Sequence, residues 1–398
     1  MDASLSTTGR GKIERLSMGS QTEALFFRII RAVIDGEDAL QIPADTDFSA
    51  LYSLSAKHDL AHLVGYALDK HKVDVPRETR ALFRKQYTLA VFRDVKRSAA
   101  INEIRTLFRS AGIPFILLKG AVLLDLYPES WMRTSCDVDI LVRKDDFDQV
   151  VNLCLSTGMT QTFETEHDVS FNTNEEYHIE IHHTLLDEGK TGFSELQDVW
   201  DASVPAADGE CEHIMSDEMF YFYHIAHMVK HLQDGGCGVR PFLDLWLLNH
   251  IKEFDPEKRQ KLLERGGLSL FAAKASELSE VWFSGETANE DMMRFGRYIM
   301  DGGVYGTKKQ AIAQKKTKGE SRYQYYKNRV FQPYDQIKHN YPILKKAPVL
   351  LPAVWVVRWF KVLDPKTRAR VKYEVESERD ISDNEVEQVS QLMKQLGL

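Results

Sequence analysis

The sequence predicts an α+β fold, a small mixed sheet flanked by N-terminal and C-terminal helical regions. Three observations lead there. Apolar residues recur at helical spacing from residue 21 to residue 110, short apolar runs broken by turns replace them between residues 114 and 183, and helical spacing returns after Gly192. At 398 residues the chain is long for one core. Five segments are expected: a flexible start over 1–20, a helical region over 21–110, a sheet-containing core over 111–200, a helical region completing its pocket over 201–300, and a basic, aromatic-rich helical region over 301–398.

Residues 1–20 are rich in Ser, Thr and Gly and offer no apolar stripe. Leu25, Phe26, Ile29, Ile30 and Val33 then share one helical face, and Leu51, Leu54, Leu60, Leu63 and Ala67 continue the period. Asp45 and Asp47 stand where a helix N-cap is needed. In the sheet region, residues 114–118 and 137–142 read as strands, 121–126 as a short helix and 145–156 as a longer one. Residues 159–164, 168–173 and 177–183 supply further strands, and no internal repeat is present.

The most informative stretch is residues 115–142, FILLKGAVLLDLYPESWMRTSCDVDILV. Side chains two apart in a strand point to the same face, so Asp137 and Asp139 project together while Val138, Ile140 and Val142 pack. Alone, Asp-x-Asp is usually a solvated strand end. Here a buried strand follows, and buried carboxylates need a cation, either a divalent metal or Arg133. Upstream, the order strand, Lys119-Gly120, short helix places Gly120 where backbone can approach a phosphate and present amides at a helix N-terminus. Glu180, His182 and His178 share one face of the strand over 177–183, opposite Tyr177, Ile179 and Ile181. The plain reading of that stripe is a half-exposed strand; beside Asp137 and Asp139 it becomes part of a site.

Leu118-Lys119-Gly120, Tyr127-Pro128, Arg133, Asp137-Val138-Asp139-Ile140-Leu141-Val142 and the strand with Glu180 and His182 resemble a known family. They are similar to the uncharacterised bacterial nucleotidyltransferases of the polymerase-beta-like nucleotidyltransferase superfamily. That resemblance implies a nucleotidyltransferase-type sheet and metal ions, magnesium or manganese in its place, held by Asp137, Asp139 and Glu180 as catalytic residues. It implies an NTP as substrate, with a metal-bound hydroxyl deprotonated by a carboxylate and pyrophosphate leaving. Lys119, Gly120, Arg133 and His182 would lie on the nucleotide side. Most characterised relatives carry Gly-Ser or Gly-Gly where this chain has Lys119-Gly120, which removes a hydroxyl that could touch phosphate.

Residues 219–234 read as a helix whose His224, His227 and His231 share a face beside Lys230. Ligands one and two turns apart on a straight helix rarely converge on one zinc, and no Cys pair completes a site. Charge gives the better account. Lys230, His231 and, past the Asp234-Gly235-Gly236 break, Arg240 can meet triphosphate oxygens, with Asp244 orienting them.

Composition sets outer limits. With 43% hydrophobic and 28% charged residues, wholesale disorder is excluded. Four cysteines without metal spacing, no apolar h-region near the N-terminus and no run of roughly 18 apolar residues point to a cytoplasmic chain with free thiols and no transmembrane segment. Cys136, beside the acidic pair, reads as a small filler. Residues 301–372 hold 17 Lys or Arg against 4 Asp or Glu, so the rest of a chain of net charge −8 carries −21. That region calls for an anionic partner. Tyr323, Tyr325, Tyr326, Phe331, Tyr334 and Tyr341 lie among its cations in the manner of an RNA-binding surface. Residues 354–363, VWVVRWFKVL, read first as a packed helix after Pro352 and second as a surface for an anionic membrane or a lipid-linked glycan.

The function expected is metal-dependent transfer of a nucleoside monophosphate from an NTP to an acceptor that the sequence does not name, a sugar phosphate, a protein side chain or RNA. Two alternatives stand beside it. The Lys119-Gly120 turn suggests a catalytically inactive nucleotide-binding module, and the basic aromatic tail suggests a toxin-like nucleotidyltransferase that modifies tRNA or other RNA.

Overall fold

The apolar stripe that begins at Leu25 forms α1 (Gln21–Ile34), capped by the Ser20 hydroxyl, which accepts from the Glu23 amide at 3.3 Å. The computed structural model describes residues 19–398 apart from 166, 175, 208, 210, 318–321, 339–340, 342 and 362–363, so most of the expected flexible start, residues 1–18, lies outside the described residues. Helix α2 (Phe48–Lys57) is capped by Asp47, whose Oδ1 accepts from the Ser49 and Ala50 amides at 3.0 and 2.9 Å. Then come α3 (Ala61–Lys70) and the long α4 (Arg77–Ser110). Helix α4 joins two regions: Phe83 packs among the N-terminal helices, while Ala100, Ile101, Ile104 and Phe108 pack under the sheet.

The sheet has seven strands in the order β3-β4-β5-β2-β1-β7-β6. They are β1 (Phe115–Leu117), β2 (Asp137–Val142), β3 (Thr160–Glu164), β4 (Asp168–Asn172), β5 (His178–His182), β6 (Ser203–Pro205) and β7 (Glu212–Met215). Strand β2 lies at its centre, antiparallel to β1 and parallel to β5. The helical segments between strands are α5 (Gly120–Leu123), α6 (Phe147–Ser156) and α7 (Phe193–Leu196).

Strands β6 and β7 depart from the sequence expectation, which has the chain almost wholly helical beyond Gly192. They are three and four residues long, too short for a readable period of two, and Pro205 sits in the edge strand, where no ladder donor is needed. Strand β7 is fixed from a distance: buried Glu212 accepts from Arg105 Nη2 and from Arg109 Nη2 on α4, each at 2.8 Å.

Val138, Ile140, Val142, Ile179 and Ile181 pack against α4 and α6 on one face of the sheet. The other face meets α8 (Asp217–Asp234) and α9 (Arg240–Ile251). After them follow α10 (Pro256–Arg265), α11 (Ser269–Phe283), α12 (Glu290–Gly302) and α13 (Lys308–Thr317), then α14 (Arg322–Val330), α15 (Tyr334–Ile337) and α16 (Ile343–Lys346). The chain closes with α17 (Leu351–Lys361), α18 (Pro365–Arg379) and α19 (Asp383–Gln395). One apolar cluster extends from Leu25 to Leu396 and takes in Leu392 and Met393 of α19, so the N-terminal helices, one sheet face and the last helix share a core.

Of the packed-helix reading of residues 354–363, positions 362–363 lie outside the described residues, and over 354–361 it holds for one side of α17. Val354 is buried, and the Trp355 and Trp359 indoles donate to the Gln332 and Val330 carbonyls at 2.9 Å, but Val356, Val357 and Phe360 are exposed. Some of the interleaved cations are already engaged by their own tyrosines: Lys338 Nζ lies 5.7 Å from the Tyr334 ring and Lys361 Nζ 4.9 Å from that of Tyr341. No described helix is long and apolar enough to cross a membrane.

Candidate active site

The alternation along β2 turns Asp137 and Asp139 away from the α4 and α6 side, and the parallel pairing sets Glu180 beside Asp139 and His182 beside Leu141. Asp139 is only 3% exposed, yet its Oδ1 accepts from the Lys119 ammonium at 2.6 Å and from His182 Nε2 at 3.0 Å. His182 Nε2 also lies 3.6 Å from Glu180 Oε2. Asp137 accepts from the Ser135 hydroxyl at 2.8 Å. Asp139, Glu180 and His182 each offer a ligand atom within 4.8 Å of the other two, a donor set of two carboxylates and an imidazole that fits a divalent cation. Asp137 stands outside that compact group, and His182, expected on the nucleotide side, belongs to it.

Burial alone raises the Asp139 pKa, but the Lys119 charge and the His182 hydrogen bond outweigh it and hold the carboxyl well below the usual range. Burial lowers that of Lys119, and Asp139 more than reverses it, so the ammonium stays charged. Glu180 moves the opposite way from Asp139: burial raises its pKa and the Asp139 charge adds to the rise. The two neighbouring acids are thus pushed apart, Asp139 toward the ionised form and Glu180 toward the protonated one.

The turn that delivers Lys119 differs from the expectation in two respects. Lys119, and not Gly120, carries the unusual backbone, with φ +43° and ψ −114°, a conformation that costs a residue with a Cβ about 1–3 kcal/mol. Gly120 is needed for space: a Cβ there would sit 2.8 Å from Arg133 Nη1 and 3.2 Å from Ser135 Oγ. The amides of Ala121, Val122 and Leu123 already donate to the carbonyls of Leu118 and Lys119, which leaves those three unavailable to the expected phosphate cradle. Gly120 therefore admits a guanidinium.

Helices α8 and α9 form the opposite wall. A cavity of about 400 Å³ is lined by Lys119, Gly120, Arg133, Asp137, Asp139, Glu180, His182, Lys230, Arg240 and Asp244, which brings every sequence-predicted site residue to one place. Their pairings differ from expectation. Arg133 neutralises Asp244, with Nε to Oδ1 at 3.1 Å and Nη2 to Oδ2 at 3.0 Å, and Asp244 Oδ1 also accepts from the Tyr127 hydroxyl at 2.8 Å. The counter-charge of the β2 carboxylates is thus Lys119, and Asp244 orients Arg133 and Tyr127 rather than Lys230 or Arg240. Arg240 Nη1 donates to Asp59 Oδ2 and to the Thr134 carbonyl, both at 2.9 Å. Lys230 carries no ion pair among the described residues.

The histidines of α8 do not form a three-ligand metal site. His224 Nε2 bonds the Pro241 carbonyl at 2.9 Å, and His227 and His231 meet each other, Nε2 to Nε2, at 3.2 Å. Burial, then the charge of Lys119, keeps both of the latter neutral, with His231 brought down to about 4. His231 therefore lines the cavity without the positive charge expected of it. Cys136, expected as a filler, is exposed at the cavity.

The sequence reading misses Asp59, Ser135 and Tyr223, the last lining the cavity, and names Tyr127 only within the family resemblance, without its bond to Asp244. Tyr127 and Ser135 lie within the informative stretch, and Ser135 precedes Asp137 by the same two-residue step that pairs the acids. Asp59 has no local signal, since its partner Arg240 is 181 residues away.

A family model described as uncharacterised nucleotidyltransferase matches residues 44–284, which hold the whole sheet and α8–α10. No curated protein matches the chain. Among solved structures, the solution structure of the antibiotic-resistance factor ANT(2'')-Ia, described as revealing substrate-regulated conformation dynamics, aligns over 48% of this chain and 91% of its own at 11% identity, with a TM-score of 0.27.

Proposed function

The chain belongs to the uncharacterised nucleotidyltransferase family, and from that premise we propose that it transfers a nucleoside monophosphate from an NTP to an acceptor with release of pyrophosphate, assisted by a divalent metal. The observation that carries this reading is the acidic face of β2 and β5, with Asp137, Asp139 and Glu180 set against cationic Lys230 and Arg240 across one cavity. A 400 Å³ space falls within the range of small-molecule sites, which span about 300–1,000 Å³.

Asp139, Glu180 and His182 would hold magnesium or manganese, with Asp137 beside them as a further carboxylate for a second ion or a bound water. A metal held there would supply polarisation of the α-phosphate and charge neutralisation for the leaving pyrophosphate. Glu180, which the β2–β5 register sets beside Asp139, would take the proton of the acceptor hydroxyl on a carboxylate oxygen. Lys230 and Arg240 bind the triphosphate oxygens. Arg133 and Asp244 neutralise each other, so their part is to fix the wall from which Arg240 projects.

Calorimetric titration with ATP, GTP, CTP and UTP, with and without magnesium, tests the reading against the Asp137→Asn, Asp139→Asn double variant. Magnesium-dependent binding of at least one nucleotide, lost in the variant, is expected. Equal binding by a folded variant would overturn the metal–carboxylate site. Binding without product across sugar phosphates, protein and RNA acceptors would instead favour a nucleotide-binding module.

A further inference from the structure

Lys119 and His182 converge on a single atom, Asp139 Oδ1, from opposite directions in sequence. A buried carboxylate that needs a cation already has one, supplied by the chain. That ammonium uses the same carboxylate that the Asp139, Glu180 and His182 group would offer to a divalent ion. Two cations drawn to one carboxylate repel each other, so a divalent ion at Asp139 weakens the Lys119 contact. The backbone at Lys119 is also held in a conformation that glycine favours, so a side chain is kept at this turn against local preference. Glycine there would remove the strain and also the ammonium. Nearby, the Lys119 side chain is a quarter exposed and opens on the cavity that Lys230 and Arg240 also line.

We propose that Lys119 is an exchangeable internal cation: it closes on Asp139 in the ligand-free chain, yields Asp139 to a divalent ion shared with Glu180 and His182, and turns its freed ammonium to the phosphates of the nucleotide. The proposal rests on the metal-dependent reading above and deepens it. Metal and nucleotide binding are then coupled through one side chain, and by reciprocity each tightens the other. His182 gives the ion an imidazole ligand, which suits manganese better than magnesium. For that, the ring must present Nε2 without its proton and carry it on Nδ1.

Manganese binding, followed by electron paramagnetic resonance on the full chain, tests the exchange. Lys119→Met is expected to tighten Mn²⁺ binding at least tenfold in the absence of nucleotide and to weaken binding of a non-hydrolysable ATP analogue. Unchanged or weaker Mn²⁺ binding by the folded variant would overturn the proposal. Wild-type protein gives a second measurement that needs no variant. Amine labelling of Lys119, read by mass spectrometry, should rise severalfold with Mn²⁺ and fall again when the analogue is added; labelling that ignores both ligands refutes the exchange. The Mn²⁺ signal should show nitrogen coupling that His182→Asn abolishes, and a wild-type signal without it removes His182 as a ligand. A wild-type chain that takes up no Mn²⁺, with or without the analogue, refutes the metal-dependent reading itself, whereas metal and nucleotide binding with unresponsive Lys119 refutes the exchange alone.

Discussion

Asp244→Asn tests how the far wall of the cavity is held. Asp244 is 1% exposed and Arg133 7% exposed, and their two charge-assisted hydrogen bonds, at 3.1 and 3.0 Å, are joined by the Tyr127 hydroxyl at 2.8 Å. The amide leaves the guanidinium buried with one acceptor oxygen in place of two and turns an N–H toward N–H donors. Removing one member of a buried ion pair costs about 3–5 kcal/mol, and because one acceptor remains the loss should lie near the lower bound, about 3 kcal/mol. Urea denaturation followed by tryptophan fluorescence measures it as a lower midpoint at unchanged slope. Adding Arg133→Met removes the orphaned charge, so the double variant should recover at least half of the loss. A single variant within about 1 kcal/mol of wild type, or a double variant less stable than the single one, would refute the view that Arg133 and Asp244 act as a neutralised pair.

The pH dependence follows from buried histidines. Burial brings His58, His62 and His231 down to about 4 from an ordinary 6.5, so the folded chain refuses protons that the unfolded chain accepts. Stability is full above pH 6.5 and falls as pH drops from there toward 4, with Asp139 and Asp244, both held low, adding to the loss below about 4. Urea midpoints that stay level between pH 7 and 5 would contradict this. Glu212→Gln weakens the bonds from Arg105 and Arg109 that fix β7 to α4 and should cost about 2 kcal/mol in the same assay without changing nucleotide affinity; an unaltered midpoint would show that those bonds contribute nothing. Gly120→Ala drives a methyl into Arg133 Nη1 and should destabilise by about 1–3 kcal/mol, whereas a neutral result would mean that the guanidinium has room to move.

Local periodicity makes much of this molecule legible. The two-residue step that sets Asp137 with Asp139, and Glu180 with His182, is a property of any strand, and the β2–β5 register places Asp139 beside Glu180. The stripe from Leu25 to Val33 likewise becomes the buried face of α1. Pairing across the chain follows no such period. The sequence offers Arg133 or a metal to the β2 carboxylates, and only the fold shows that α9 brings Asp244 to Arg133 and leaves Lys119 for Asp139. Strand β7 is hidden for the same reason, since its Glu212 draws on arginines more than 100 residues upstream. Asp59 is the extreme case. It reaches Arg240 from the turn between α2 and α3, so the N-terminal helices, which a sequence reading treats as a separate region, share in setting the direction of a cation at the site. Since those helices and α9 belong to one apolar cluster, loosening their packing should disturb the position of Arg240 before it disturbs the carboxylates of β2, which β1 and β5 hold independently from both sides.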